Sequence, residues 1–506
     1  MHQNIEVLRL CIDFQFIHIM SQEIRNLEPK ALWNKFADLN AVPRPSKKEE
    51  RVIAFMLDFG KSLGLETLKD EVGNVIIKKP ATAGMENRKT IVLQSHLDMV
   101  HQKNNDTIFD FDNQGIEMYV DEDWVRAKGT TLGADNGIGV ATIMAILESK
   151  DIEHPAIEAL FTIDEETGMT GALGLKGGLL QGEILLNLDT EEDDEIDIGC
   201  AGGVDVTATA EYDEEDAPAH AIGYQITVKG LHGGHSGMDI HKGLGNANKI
   251  MNRLLFNGFD DFGLQISEIK GGSLRNAIPR ESVAKVIIAE MYDEVFEFEM
   301  SQIVAEIKEE FATTEPNLEV IFDRLENAPK KVMPPMAQYF FVRSMYTAHN
   351  GVYRMSADFD DLVETSNNIA KVTVGEGKLV VQCLTRSSVE TAKFDCANSL
   401  RAAFELMGCE VEFSGSYPGW TPNPNSEILE VVKSIYEKQN NAKPNVVACH
   451  AGLECGILGT NYPGMDMISF GPTIRGAHSP QERCSISSVQ KYWKLVIDIL
   501  KNIPVK

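Results

Sequence analysis

At 506 residues with 43% hydrophobic content, the chain is too long for one ordinary core, and two or three domains are expected. Its 76 acidic residues against 47 basic ones give a net charge of -29, which argues against nucleic acid, whose phosphates demand a basic surface, and against an anionic membrane. The eight cysteines (11, 200, 383, 396, 409, 449, 455 and 484) show no CxxC spacing, so free, buried thiols in a reducing, cytoplasmic setting are expected.

In chain order, the apolar stretch through Ile19 is interrupted by Glu6, Arg9 and Asp13, so neither a signal peptide nor a membrane span is expected there. The β-branched run 90–95 reads as a strand that ends at His96-Leu97-Asp98. Residues two apart on a strand point the same way, so Asp98 can receive the second ring N–H of His96 and fix its tautomer. Gly133-Ala134-Asp135-Asn136-Gly137 then opens a helix that is apolar on every side, presenting Asp135 at a rigid helix start. The run 160–163 delivers Asp164-Glu165-Glu166, and the run 184–188 delivers Asp189. Adjacent residues on an extended segment point apart, so Glu165 is not expected to ligate a metal easily while Glu166 does. Apolar strands ending in acids, separated by helical segments, describe an open α/β sheet with its site at the carboxyl edge.

From Gly199-Cys200-Ala201-Gly202-Gly203 onward the acid-tipped strands stop, and they resume only after Trp420. A discontinuous domain with an insert is therefore expected: 20–202 and 419–506 around 203–418. Within the insert a strand (282–291), a helix (295–311) and a strand (317–322) are followed by a second such trio (379–384, 389–407, 410–414). That recurrence reads as a structural duplication, although residue identity between the halves is slight. The last candidate ligand, His478, follows the apolar run 467–472.

Each of these residues has a plainer reading when taken alone. A histidine after a strand is usually a hydrogen-bonded core or surface residue, Asp135 could be a helix N-cap, an Asp-Glu-Glu run is usually a solvated turn, and Asp189 could simply open an acidic surface run. Order and joint occurrence favour the chemical reading. The motifs Ser95-His96-Leu97-Asp98, Gly133-Ala134-Asp135-Asn136-Gly137, Asp164-Glu165-Glu166-Thr167-Gly168, Asn187-Leu188-Asp189 and Gly476-Ala477-His478-Ser479-Pro480 resemble, in this order, those of the zinc aminopeptidase and carboxypeptidase family that includes carnosinase and bacterial glutamate carboxypeptidase. The match is closest to its aminoacyl-histidine dipeptidase branch and spans nearly everything after about Met20. Residues 1–19 precede the usual start of that family and read as an extension or a misplaced start codon.

The resemblance implies an α/β two-domain metallopeptidase, with a mixed-sheet catalytic domain and an inserted α+β lid. It implies two divalent metal ions, zinc first, with cobalt or manganese as substitutes. One ion would be held by His96, Asp135 and Asp189, the other by Asp135, Glu166 and His478, with Asp135 bridging. Mixed imidazole and carboxylate ligation with three protein ligands per metal suits such a site and leaves room for water. Glu165 would be the general base. In Gly230-Leu231-His232-Gly233-Gly234-His235-Ser236-Gly237 the lid histidine is placed at His235, with His232 the competing choice; it would stabilise the oxyanion, in cis or across a homodimer interface. Asn276, in a stretch that resembles a substrate-binding segment, would hold the substrate backbone, and the segment 450–454 would line the same cleft. The fork of Arg386, at the end of the strand 379–384, suits a free carboxylate; for Asn276 and Arg386 a plain surface role is the equal alternative. The implied activity is hydrolysis of short peptides with a free amino terminus, Xaa-His dipeptides among them. Small peptides are then the partners, with a homodimer as one assembly and no nucleic acid or membrane. A tripeptidase or an N-acyl amino acid deacylase on the same scaffold is the second reading, and a non-catalytic peptide binder the third.

Overall fold

The computed structural model describes residues 23–506 apart from 105, 360 and 424. Residues 1–19 and Cys11 lie outside them. No disulfide is formed among the remaining seven cysteines, six of which are buried. Among the described residues no helix is long and apolar enough to cross a membrane. Contacts divide the described residues into two units: residues up to 199, 422–448 and 457–506 form one, and residues 200–421 and 449–456 the other.

The first unit is built on an eight-stranded sheet in the order Glu66–Lys69, Val75–Lys79, Ile157–Thr162, Ile91–His96, Ile184–Asn187, Asp466–Ser469, Glu195–Cys200, Asn445–Cys449. The four strands in the middle, from Ile157–Thr162 to Asp466–Ser469, run parallel, while the Val75 and Glu195 strands pair antiparallel to their neighbours, so the sheet is mixed. All residues of the Ile91, Ile157 and Ile184 strands are buried, as expected of parallel strands covered on both faces. Helix Ala134–Glu148 packs on the Ile91 strand and is itself buried nearly throughout, which is why its sequence shows no polar stripe. By contrast, helices Glu427–Asn440 and Ile486–Lys501 are amphipathic and start at serine caps: Ser426 Oγ accepts from Leu429 N–H and Ser485 Oγ from Ser488 N–H. Because four neighbouring strands are parallel, Thr162, His96, Asn187 and Ser469 end on one sheet edge, and the segments that follow them meet there.

The second unit carries a sheet ordered Glu319–Arg324, Ile222–Lys229, Ser282–Ile288, Gln265–Gly271, Val363–Gly375, Lys378–Ser387, Gly202–Glu211, Glu410–Tyr417, with Gly351–Met355 added on the Val363 strand. This order is a palindrome about the Gln265 and Val363 strands. On one side Ser282–Ile288, helix Asp293–Glu310 and Glu319–Arg324 flank the Ile222 strand; on the other Lys378–Ser387, helix Glu390–Glu405 and Glu410–Tyr417 flank the Gly202 strand. Helices Ala247–Phe262 and Pro335–Thr347 complete two β-α-β-β-α-β sets, one inserted in the other after Gly202–Glu211. Alternating residues such as Val204, Val206 and Ala208, or Tyr224, Ile226 and Val228, point into one core shared with the helices.

Candidate metal centre and its surroundings

His96 is the last residue of its strand and only 1% exposed. Its Nε2 lies 3.1 Å from Asp135 Oδ1 and 3.6 Å from Asp189 Oδ1. His478 Nε2 lies 3.1 Å from Asp135 Oδ2 and 3.0 Å from Glu166 Oε2. One carboxylate thus faces an imidazole with each of its oxygens. His96, Asp135 and Asp189 offer ligand atoms within 4.8 Å of one another, and so do Asp135, Glu166 and His478. Asp135 is no N-cap: Gly133 stands there in the left-handed region (φ 70°), and regular helix begins only after Asp135 and Asn136. Asn136 Nδ2 donates to Leu188 O (2.6 Å), tying this loop to the strand end that carries Asp189.

At Glu165 and Glu166 the backbone departs from the extended form expected from sequence. Asp164 adopts φ 56°, and its carboxylate accepts from Lys47 Nζ, Thr167 Oγ1 and Thr170 Oγ1, which hold the chain in a tight turn. As a consequence the two glutamates do not point apart: His96, Glu165 and Glu166 also offer atoms within 4.8 Å of one another. Asp98, fully buried, anchors the same turn. Its Oδ1 accepts from Glu165 N–H (3.0 Å), its Oδ2 from Glu166 N–H (3.3 Å) and Ser46 Oγ (2.9 Å). His96 Nδ1 faces the Asp98 carbonyl at 3.1 Å and the carboxylate at 3.4 Å, so backbone and side chain of one residue share that proton.

The electrostatics favour a cation. Burial alone would strip the His96 ring of its proton, yet Asp189, Asp135 and Asp98 outweigh it and hold the pKa well above 6.5. Hydrogen bonds to Asp135 and Glu166 push His478 up to about 11. Burial raises Asp189 to about 6 despite its imidazole neighbour. Four acids thus compete for two imidazolium protons, and Glu166 Oε1 and Asp189 Oδ1 are buried without any hydrogen-bond donor. Buried carboxylate oxygens without donors fit a divalent cation.

Beneath the site, buried polar side chains cross the sheet under the strand ends that lead to the candidate ligands. Gln94 Nε2 donates to Thr162 Oγ1 (3.1 Å), Asn187 Nδ2 to Gln94 Oε1 (2.5 Å) and Ser469 Oγ to Asn187 Oδ1. Thr190 Oγ1 then joins Ser469 to Asp197, at 2.8 Å from each. Sequence reasoning misses two further charged residues. Glu482 accepts four backbone N–H groups from 132–135, and the buried Arg44 donates to Leu97 O, Asp98 O and Gly133 O. The only hints are a glutamate four residues past His478 and an arginine set between two prolines.

In the second unit His235 pairs with Ala277 in a two-residue ladder, and Ser236 N–H donates to Asn276 O (2.8 Å), which brings His235 and Asn276 together. His235 Nδ1 accepts from Gly237 N–H (3.2 Å) and Met238 N–H (3.0 Å). Burial and the Arg386 charge lower its pKa, so the neutral ring carries its proton on Nε2 as a donor. His232 is spent otherwise: its N–H and Nδ1 both meet Glu315 Oε2, at 2.7 and 3.0 Å. Arg386 is 5% exposed, donates from Nη1 to Tyr417 Oη (2.9 Å), and its buried Nε has no partner. The segment 449–456 clusters with this unit; in it His450 Nε2 meets Ser366 Oγ at 2.8 Å.

The model of peptidase family M20/M25/M40 matches residues 92–502. The cytosol non-specific dipeptidase of Escherichia coli is 44% identical over 484 residues, 96% of this chain and 100% of that relative. The crystal structure of aminoacylhistidine dipeptidase from Vibrio alginolyticus superposes with a TM-score of 0.91 at 44% identity, covering 96% of this chain and 98% of that one. Aminopeptidase PepT from Bacillus cereus shares the fold at a TM-score of 0.55 and 17% identity, covering 94% of this chain and 99% of that one. With a family model spanning most of its length and a relative matched from end to end, this chain belongs to peptidase family M20/M25/M40.

Proposed function

We propose that this chain is a metal-dependent dipeptidase of the cytosol, hydrolysing short peptides with a free amino terminus, Xaa-His dipeptides among them. Two divalent ions, zinc first, with cobalt or manganese as alternatives, would be held by His96, Asp135 and Asp189 and by Asp135, Glu166 and His478. The observation that carries this reading is the pair of ligand clusters sharing Asp135, with donorless oxygens on Glu166 and Asp189 and with Glu165 beside them. When bound, the ions would acidify water toward a pKa of ~7 and polarise the scissile carbonyl.

The protein's own groups supply the rest. Glu165 takes the proton of the attacking water and returns it to the leaving amine, while Asp98 keeps the turn that presents Glu165 in place. His235, neutral with its proton on Nε2, donates to the developing oxyanion. Arg386, held by Tyr417, takes the substrate carboxylate, and Asn276 takes its backbone. In this reading 203–418 serves as the lid and the two β-α-β-β-α-β sets are a duplication, the second set taking over the role that a partner subunit's lid would have in a homodimer.

Stripping the protein with chelator and restoring zinc or cobalt should abolish and then recover hydrolysis of Gly-His and Ala-His. Tripeptides and N-acyl amino acids belong in the same panel. Faster turnover of either class would move the assignment to a tripeptidase or a deacylase, and metal-independent turnover would end the metallopeptidase reading.

A further inference from the structure

The ligands of the candidate centre come from segments far apart in sequence, and two buried charged residues tie the backbones of three of those segments together. Glu482 is 3% exposed. Its Oε2 accepts from Leu132 N–H (2.7 Å) and Gly133 N–H (3.0 Å), its Oε1 from Ala134 N–H (2.7 Å) and Asp135 N–H (3.3 Å). Four successive N–H groups at the start of helix Ala134–Glu148 thus form an anion nest filled by an internal carboxylate. Since Glu482 lies in the segment that carries His478, this contact joins the His478 loop to the Asp135 loop.

Arg44, 1% exposed, grips the other side of the same loop. Nη2 donates to Gly133 O (2.6 Å) and Asn40 Oδ1 (3.0 Å), and Nη1 donates to Leu97 O and Asp98 O, both at 3.1 Å. It therefore joins the Asp135 loop to the segment after His96. A Cβ at Gly133 or at Gly137 would lie 2.6 Å from Nη2, so glycine at both positions is what lets the guanidinium reach the loop. Neither Arg44 nor Glu482 bonds a candidate ligand side chain; toward the ligand-bearing segments both act on main-chain atoms only.

We propose that Arg44 and Glu482 are positioning residues for the metal site, fixing the relative placement of the backbones that carry His96, Asp135 and His478. Buried charges are a poor device for stability alone, because apolar residues of similar volume serve as well or better. They are a good device for holding several polar backbone segments in one arrangement, which a site with narrow tolerance in ligand distance requires. The inference rests on the metal-site reading of the preceding subsection.

The test compares Glu482→Gln and Arg44→Lys with Leu495→Ala, a core truncation on helix Ile486–Lys501. For each metal-free protein the thermal midpoint is measured, then Co²⁺ affinity against a competing chelator and the visible absorption spectrum of the bound cobalt. Glu482→Gln keeps the shape but turns an amide N–H₂ toward two N–H donors, and Arg44→Lys cannot span both pairs of carbonyls. Both should lose Co²⁺ affinity about 10- to 100-fold, as substitutions one layer behind metal ligands do, with an altered cobalt spectrum. Leu495→Ala should lower the midpoint without changing affinity or spectrum. If both variants match wild type in affinity and spectrum, or if Leu495→Ala loses as much affinity for its drop in midpoint as they do for theirs, the positioning role is overturned. It is equally overturned if neither variant folds without metal, since the residues then serve folding. A wild-type protein that binds no divalent metal would instead remove the underlying metal-site reading, and this inference with it.

Discussion

Asp98→Asn is the sharpest single perturbation of the site, because the structure shows which bonds it breaks. The new amide could turn its oxygen to the Oδ1 side and keep the bond from Glu165 N–H, while His96 Nδ1 retains the backbone carbonyl of residue 98 at 3.1 Å. On the Oδ2 side the new N–H₂ could donate to Ser46 Oγ, whose hydroxyl already has Met99 O within 3.2 Å. Glu166 N–H alone is then left opposite a donor, 3.3 Å from where it had an acceptor. This N–H is part-buried, so leaving it without an acceptor costs toward the low end of the ~1–3 kcal/mol of a buried orphan. The turn that carries Glu166 loosens, and the ring of His96 loses its charged neighbour, so metal affinity should fall by ~10- to 100-fold. Urea denaturation of the metal-free protein reads the first quantity, and zinc titration against a chelator the second. Metal affinity within about twofold of wild type, in a variant that has lost the expected stability, would show that Asp98 holds the turn for folding alone and refute its place behind the ligands.

Glu165→Gln should bind metal normally and lose about 10²-fold or more in turnover, whereas Glu166→Gln should chiefly weaken metal binding; equal metal affinity and equal activity in the two would contradict that division of roles. His235→Ala should lower kcat by on the order of 10²-fold with metal content intact, and His232→Ala, whose ring is committed to Glu315, should do much less. Activity recovered on mixing His235→Ala protein with Glu165→Gln protein would mean that the histidine acts across a dimer, and none after subunit exchange that it acts in cis. Burial, with Arg386 and His235 adding repulsion, depresses His450 from 6.5 to about 3. The unfolded chain takes up this proton first, so the stability it contributes is present above its ordinary pKa of about 6.5 and is lost as pH falls from there toward 3, about 2 kcal/mol between pH 7 and pH 5. His450→Gln should flatten that part of the urea-midpoint profile, and an unchanged pH dependence would assign it elsewhere.

What can be read in the sequence is what depends on neighbours along the chain. The runs before His96, Glu165 and Asp189 are apolar and β-branched because they become buried parallel strands, and the sheet gathers their ends on one edge. The order of strand, helix and strand in 282–322 and 379–414 is likewise local and therefore visible. Membership of Gly202–Glu211 in the second set is not, since that strand reaches its partners only after the whole first set has been laid down. The turn at Asp164 escapes for a related reason. An Asp-Glu-Glu run carries no mark of left-handed backbone, and the hold on it includes Lys47, which lies far back in the chain. Glu482 and Arg44 mark the limit of such reading, because their partners are peptide groups and a peptide group has no letter in the sequence. Side-chain pairs can be guessed from complementary residue types. A carboxylate that closes on four backbone N–H groups can be found only once the fold has brought them together, and in this chain it does so beside the residues with the most distinctive motifs.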